Sequence, residues 1–175
     1  WVGSQLLDIE PDMMSTAKGL TSGYFPMSAA FMTDEIWQVM REGSDRLGAF
    51  SHGYTYSGHP VGCAVALANV LLIENEGLVE KAKDDGAYLH RRLHDELGCH
   101  AHVGEIRGRG LLAGVQLVVD KTNRVLPDPA EKWPLKVSQA CRALGVIVRP
   151  LPRVGTLSIS PPLTITRQNI DQLVD

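Results

Sequence analysis

The chain has 175 residues, 44% hydrophobic and 21% charged, a balance that suits a water-soluble globular protein with a substantial core. Its formal charge of -3 gives no basis for nucleic acid or an anionic membrane surface as a partner. No apolar run approaches the roughly 20 residues that span a bilayer, and the first residues lack a signal-peptide layout. Cys63, Cys99 and Cys141 are widely spaced and form no CxxC, which fits reduced thiols in a cytoplasmic protein better than a disulfide framework.

In chain order, residues 1–12 read as a loop, and Asp12 is placed to cap a short helix over Met13–Ala17. Lys18 then stands at the end of that helix, followed by Gly19 and Gly23 as stop signals. The apolar run Ser28–Thr33 predicts a buried strand. Thr33 or Asp34 caps a helix over Glu35–Arg41, which Glu42-Gly43-Ser44 ends. From Asp45 to Pro60 the composition is that of a long loop rich in Gly, Ser, His and Tyr, and long loops inside compact chains are usually functional or disordered. The hydroxyl-rich row Tyr54 to Ser57 argues against disorder.

Pro60 begins a helix of small residues that runs to about Asn75, apolar nearly all round and therefore expected to be buried. After the break at Glu76-Gly77, Leu78 to Leu97 is a second helix with an apolar stripe of Leu78, Val79, Ala82, Leu89, Leu93 and Leu97. A domain boundary is placed there, giving residues 1–77 and 78–175. Leu111–Val119 reads as a strand, Asp120–Pro134 as a polar excursion and Leu135–Leu144 as a helix. Val146–Val148 and Thr156–Ser160 read as short strands, and Thr166 caps a last helix that runs to the end of the chain. Helices and strands alternate, so the second domain is expected to be α/β on a small mixed or antiparallel sheet.

The chemistry centres on Lys18, in Ser15-Thr16-Ala17-Lys18-Gly19-Leu20-Thr21-Ser22-Gly23-Tyr24-Phe25-Pro26. A solvated lysine is protonated at neutral pH; one held in a tight, partly desolvated turn can lose its proton and attack a carbonyl to give a Schiff base. That stretch alone is also compatible with a surface lysine. A second stretch changes the weighing: Ser51-His52-Gly53-Tyr54-Thr55-Tyr56-Ser57-Gly58-His59-Pro60, leading into Val61-Gly62-Cys63-Ala64-Val65-Ala66-Leu67-Ala68.

Together these stretches resemble the class III, pyridoxal-phosphate-dependent aminotransferases. The resemblance continues through Gly104-Glu105-Ile106-Arg107-Gly108-Arg109-Gly110-Leu111-Leu112-Ala113-Gly114, Gly145-Val146-Ile147-Val148-Arg149-Pro150 and Leu157-Ser158-Ile159-Ser160-Pro161-Pro162-Leu163-Thr164-Ile165-Thr166. The wording looks most like the ω-amino acid or amine:pyruvate aminotransferases. The resemblance implies a fold-type I, α/β pyridoxal-phosphate transferase working as a homodimer or higher. Residues 1–77 would be the C-terminal part of its large coenzyme-binding domain and 78–175 its small domain. It also implies that a longer enzyme precedes Trp1, carrying the aspartate that pairs with the coenzyme's ring nitrogen.

By the same resemblance, Lys18 holds pyridoxal 5'-phosphate as an internal aldimine and then carries the proton between the substrate carbon and the coenzyme. Thr55 binds the phosphate of the neighbouring protomer's coenzyme; its plain alternative is a loop threonine closing a turn. Tyr54 and Tyr24 line the pocket, with a packing role as the alternative for Tyr24. Arg149 pairs with a substrate carboxylate and swings aside for apolar amines, a role that Arg153, four residues on, can share or take. Arg107 and Arg109 read as anion ligands or, better, as partners of carboxylates that hold their loop. The Gly108-x-Gly110 pattern is no dinucleotide fingerprint, because a turn into a strand stands where a helix is needed. His90 and His94 have the spacing of zinc ligands, but Arg91 and Arg92 lie between them, so a solvated helix face is expected and no metal.

The implied reaction moves an amino group from an amine or ω-amino acid to a keto acid such as pyruvate, in two ping-pong halves. Two rivals stand beside it. One is an aminomutase on the same fold, whose members resemble Thr-Leu-Ser-Gly-Asn-Pro where this chain has Thr55-Tyr56-Ser57-Gly58-His59-Pro60. The other is a piece that folds or associates without a complete catalytic site.

Overall fold

A computed structural model describes residues 1–175, which form two compact units, Trp1–Glu76 and Gly77–Asp175. The first unit begins with the single-turn helix α1 (Gly3–Leu6), inside the stretch expected to be loop. It continues through β1 (Met13–Ala17), a 3-10 turn (Lys18–Thr21), β2 (Ser28–Met32), α2 (Asp34–Leu47) and α3 (Pro60–Asn75). The expected helix at Met13–Ala17 is a strand. Five residues are too few to sustain an isolated helix, whereas β2 supplies a complete antiparallel ladder, from Met13 opposite Met32 to Ala17 opposite Ser28. Asp12 extends that ladder instead of capping a helix: its carbonyl accepts from Thr33 N at 3.0 Å.

Two expectations of burial fail in this unit. Phe31 of β2 is 49% exposed, and along α3 only Gly62 and Ala66 are buried while Val61, Leu67, Leu71 and Leu72 are exposed. The reason is geometric: α3 is apolar on every side, but the unit covers one side only, where α3 meets the 3-10 turn after β1. The helix α2 also runs past Glu42-Gly43-Ser44 to Leu47, since Gly43 lowers helix propensity without forbidding it.

The second unit contains α4 (Leu78–Leu97), β3 (Val103–Arg109), β4 (Leu112–Leu117), α5 (Trp133–Ala143), β5 (Arg149–Leu151), β6 (Thr156–Ile159) and α6 (Arg167–Val174). Its sheet is antiparallel throughout, in the order β3-β4-β6-β5. Along β4, Ala113, Val115 and Leu117 point into the core while Leu112, Gly114 and Gln116 alternate outward. Leu89 and Leu93 of α4, Ile170 and Val174 of α6, and Leu157 and Ile159 of β6 close that core. Each fully buried leucine or isoleucine there contributes about 1.5–3 kcal/mol by leaving water.

Three local readings change here. The glycine-rich Gly104–Gly110 segment is mostly strand β3, because its backbone pairs with β4 from Arg107 opposite Gly114 to Arg109 opposite Leu112. The strand expected at Val146–Val148 lies instead at Arg149–Leu151, an edge position that tolerates Pro150. His90 is not on a solvated face: its Nε2 is buried and unpaired, and its Cε1 lies 2.9 Å from where a Cβ on Gly108 would stand. No single helix is long and apolar enough to cross a membrane.

Candidate active site

Lys18 occupies the joint between β1 and the 3-10 turn, with φ 50°, the left-handed region that side-chain-bearing residues rarely adopt. Such a conformation costs about 1–3 kcal/mol and persists only where its surroundings enforce it. Several contacts do so. Gly23 N donates to Lys18 O at 3.2 Å and Ser22 N to Gly19 O at 3.3 Å. Thr21 is 1% exposed, and its hydroxyl donates to Phe25 O at 2.6 Å. The Phe25 ring lies so close to α3 that a Cβ at Gly62 would stand 2.8 Å from it.

From α3 itself, Asn69 reaches the turn. Its Nδ2 donates to Gly19 O at 2.9 Å and Leu20 O at 3.1 Å, and its Oδ1 accepts from Ser22 Oγ at 2.6 Å. Sequence reasoning did not single out Asn69, although a signal was present: it is the lone polar side chain between Cys63 and Ile73. The Lys18 side chain is exposed, and no carboxylate lies within ion-pair distance of its Nζ.

The segment before α3 is also exposed, Tyr54 by 79%. Its turn is tied by Tyr54 N donating to Ser57 Oγ at 3.0 Å and Ser57 N to Tyr54 O at 2.9 Å. The Thr55 hydroxyl and the N–H groups of Thr55, Tyr56, Val61 and Gly62 bond to nothing within the chain. A cleft of about 240 Å³ lies beside this turn, lined by Phe25, Pro26, Met27, Tyr54, Tyr56 and His59 among others. Its lining includes Tyr54 but not Lys18, Thr55 or Tyr24. Tyr24 is 87% exposed, with its N–H bonded to Thr21 O at 3.0 Å.

In the second unit, Arg149 is exposed at the start of β5, opposite Ser158, and Arg153 lies in the 3-10 turn Pro152–Val154. Arg107 pairs with Glu105 at 2.9 Å and also contacts Gln116, so it is engaged within its own sheet. His102 packs edge-on against Trp133 at 5.1 Å, with Nδ1 3.1 Å from Val118 O, which occupies it structurally.

Comparison with known proteins supplies the lineage. The family model for class-III aminotransferases matches residues 1–175. The chain is 44% identical, over 99% of its length, to the putrescine–pyruvate aminotransferase of Pseudomonas aeruginosa, and 41% identical, over 98%, to the diaminobutyrate–2-oxoglutarate transaminase of Halomonas elongata. Among solved structures, it overlays with TM-score 0.90 and 38% identity on an amine transaminase from an uncultivated Pseudomonas species in its PLP-bound (internal aldimine) form, covering 99% of this chain and 38% of that one. The chain spans 37% of the length of the two curated relatives. It belongs to the class III aminotransferases.

Proposed function

We propose that this chain carries the lysine, one phosphate-binding turn and the carboxylate-binding arginine of a pyridoxal-phosphate transaminase. The enzyme transfers an amino group from an amine or ω-amino acid to a keto acid such as pyruvate and works as a homodimer or larger assembly in the cytoplasm. Class III aminotransferases use pyridoxal 5'-phosphate, and the residues present suit that group. An aldehyde needs an amine free of a counter-ion, which Lys18 supplies. A phosphate needs hydrogen-bond donors, and the Thr55 hydroxyl and the N–H groups at the head of α3 are free to donate, helped by the helix dipole.

When bound, the coenzyme supplies the electron sink. Lys18 Nζ would hold its carbonyl carbon and would serve as the general base that moves a proton at the substrate carbon. Thr55 Oγ would donate to the phosphate of the neighbouring protomer's coenzyme, while Tyr54 and Tyr24 would border the pocket. Arg149 holds the substrate carboxylate. Residues 1–77 act as the end of the coenzyme-binding domain and 78–175 as the small domain. The large exposed side chains Phe50, Tyr54, Tyr56, Val61 and Leu67 favour an assembly that covers them, and the three unpaired thiols fit a reducing compartment.

The observation that carries this reading is Lys18 at a left-handed residue with no ion-pair partner. The test is borohydride reduction of the intact enzyme with coenzyme, followed by peptide mass spectrometry. The adduct is expected on Lys18, with loss of the visible absorbance band; an adduct on any other lysine overturns the assignment.

A further inference from the structure

We propose that Asn69 is a positioning residue for Lys18, a role that rests on the reading of Lys18 as the coenzyme lysine. The turn that follows Lys18 ends with carbonyls that a 3-10 segment of four residues cannot satisfy by itself. Leu20 O has no hydrogen bond other than the one from Asn69 Nδ2, and Gly19 O is shared between Asn69 and Ser22 N. The same amide accepts from Ser22 Oγ, on a residue that is itself left-handed at φ 49°. One side chain from α3 therefore grips three successive parts of the turn, with three of its four hydrogen-bonding positions used.

This placement matters because a lysine amplifies error at its root. A tilt of the turn by roughly ten degrees swings the amine at the end of the side chain by about 1 Å, a misplacement that can cost about a hundredfold in a step needing alignment. The other restraints, Thr21 to Phe25 O and Phe25 against Gly62, hold the far end of the loop. Asn69 supplies the side-chain hydrogen bonds that join the residues immediately after Lys18 to a rigid helix. Asparagine suits the task because its amide presents two donors and an acceptor in one plane; an aspartate would face two carbonyl oxygens with negative charge and no donor.

The test uses the intact enzyme with Asn69→Ala, and with Asn69→Asp as a second variant should the first fold poorly. In the coenzyme-free protein, amide hydrogens of Ser22 and Gly23 are expected to exchange roughly tenfold faster than in the wild type while exchange in α4 is unchanged. With coenzyme bound, borohydride still traps it on Lys18, but the pH midpoint of the visible band moves and single-turnover amine conversion slows roughly ten- to a hundredfold. Thermal stability and assembly size stay near wild type. Wild-type exchange, midpoint and single-turnover rate, with the adduct on Lys18, overturn the role of Asn69 alone. An adduct on another lysine overturns the reading of Lys18 and this role with it. Losses that only track a matching fall in thermal stability also overturn it, since Asn69 then serves the fold and not the lysine.

Discussion

A Cβ placed on Gly86 would stand 2.3 Å from the carbonyl carbon of Gly110, so α4 lies directly on the turn between β3 and β4. Two opposing effects meet at this position. Replacing a mid-helix glycine with alanine ordinarily stabilises by about 1 kcal/mol. Here the new methyl meets backbone, which cannot rotate away as a side chain can, and overpacking of this kind costs about 1–3 kcal/mol.

Gly86→Ala is therefore expected to destabilise the enzyme, with a lower urea midpoint for the unit that contains α4. An unchanged or raised midpoint would show that the helix and the β3–β4 turn separate without cost.

Next to Gly86, buried Asp85 accepts from Lys81 Nζ at 2.5 Å and from Arg167 Nε at 3.1 Å, tying α4 to the head of α6. The hydrogen bond from Lys81, with help from Arg167 and against the opposing effect of burial, holds its carboxyl below the ordinary value of 3.8. A depressed carboxyl gives stability that is fully present above the unfolded-state value and is lost as pH falls through the folded-state value. Asp85→Asn should be less stable than wild type at neutral pH, because two cations lose their partner, and the difference should narrow as pH falls below about 4. Urea titrations from pH 7 to pH 3 measure it; a gap that stays constant or widens in acid counts against the ion pair as its source.

How much the sequence discloses depends on the range of the force concerned. The helices α3 and α4 are legible because proline at the first helical position and a 3.6-residue apolar stripe are local signals, and both run over the expected residues, Pro60–Asn75 and Leu78–Leu97. Met13–Ala17 is misread because what decides it is the ladder to Ser28–Met32, which lies beyond the intervening turn. Burial of α3 is misread for a related reason: apolarity states what a helix needs covered, not what covers it within the unit. At the site, Lys18 is conspicuous ahead of Gly19 and Gly23, but the amide that grips its turn stands fifty residues away, as the separation between Gly19 and Asn69 shows. Only the isolated polarity of Asn69 within an apolar helix marks it in the sequence.

The role proposed for the arginine at the start of β5 can be tested by comparing two kinds of substrate. Arg149 is exposed and forms no ion pair within the chain, so its guanidinium is free to take an external carboxylate in a bidentate fork. Pyruvate and amino acids present such a carboxylate, which needs a cationic partner once water is excluded. An apolar aryl-alkyl amine presents none, and the arginine is then at best neutral. Loss of a charge-assisted pair costs about 1.5–3 kcal/mol, so Arg149→Ala should lower kcat/KM for carboxylate substrates roughly ten- to a hundredfold. The half-reaction with the apolar amine, followed in a single turnover so that no keto acid is required, should change far less. Equal losses with both substrates would assign Arg149 to structure or coenzyme. No loss at Arg149→Ala together with a large one at Arg153→Ala would move the role to the 3-10 turn that follows β5.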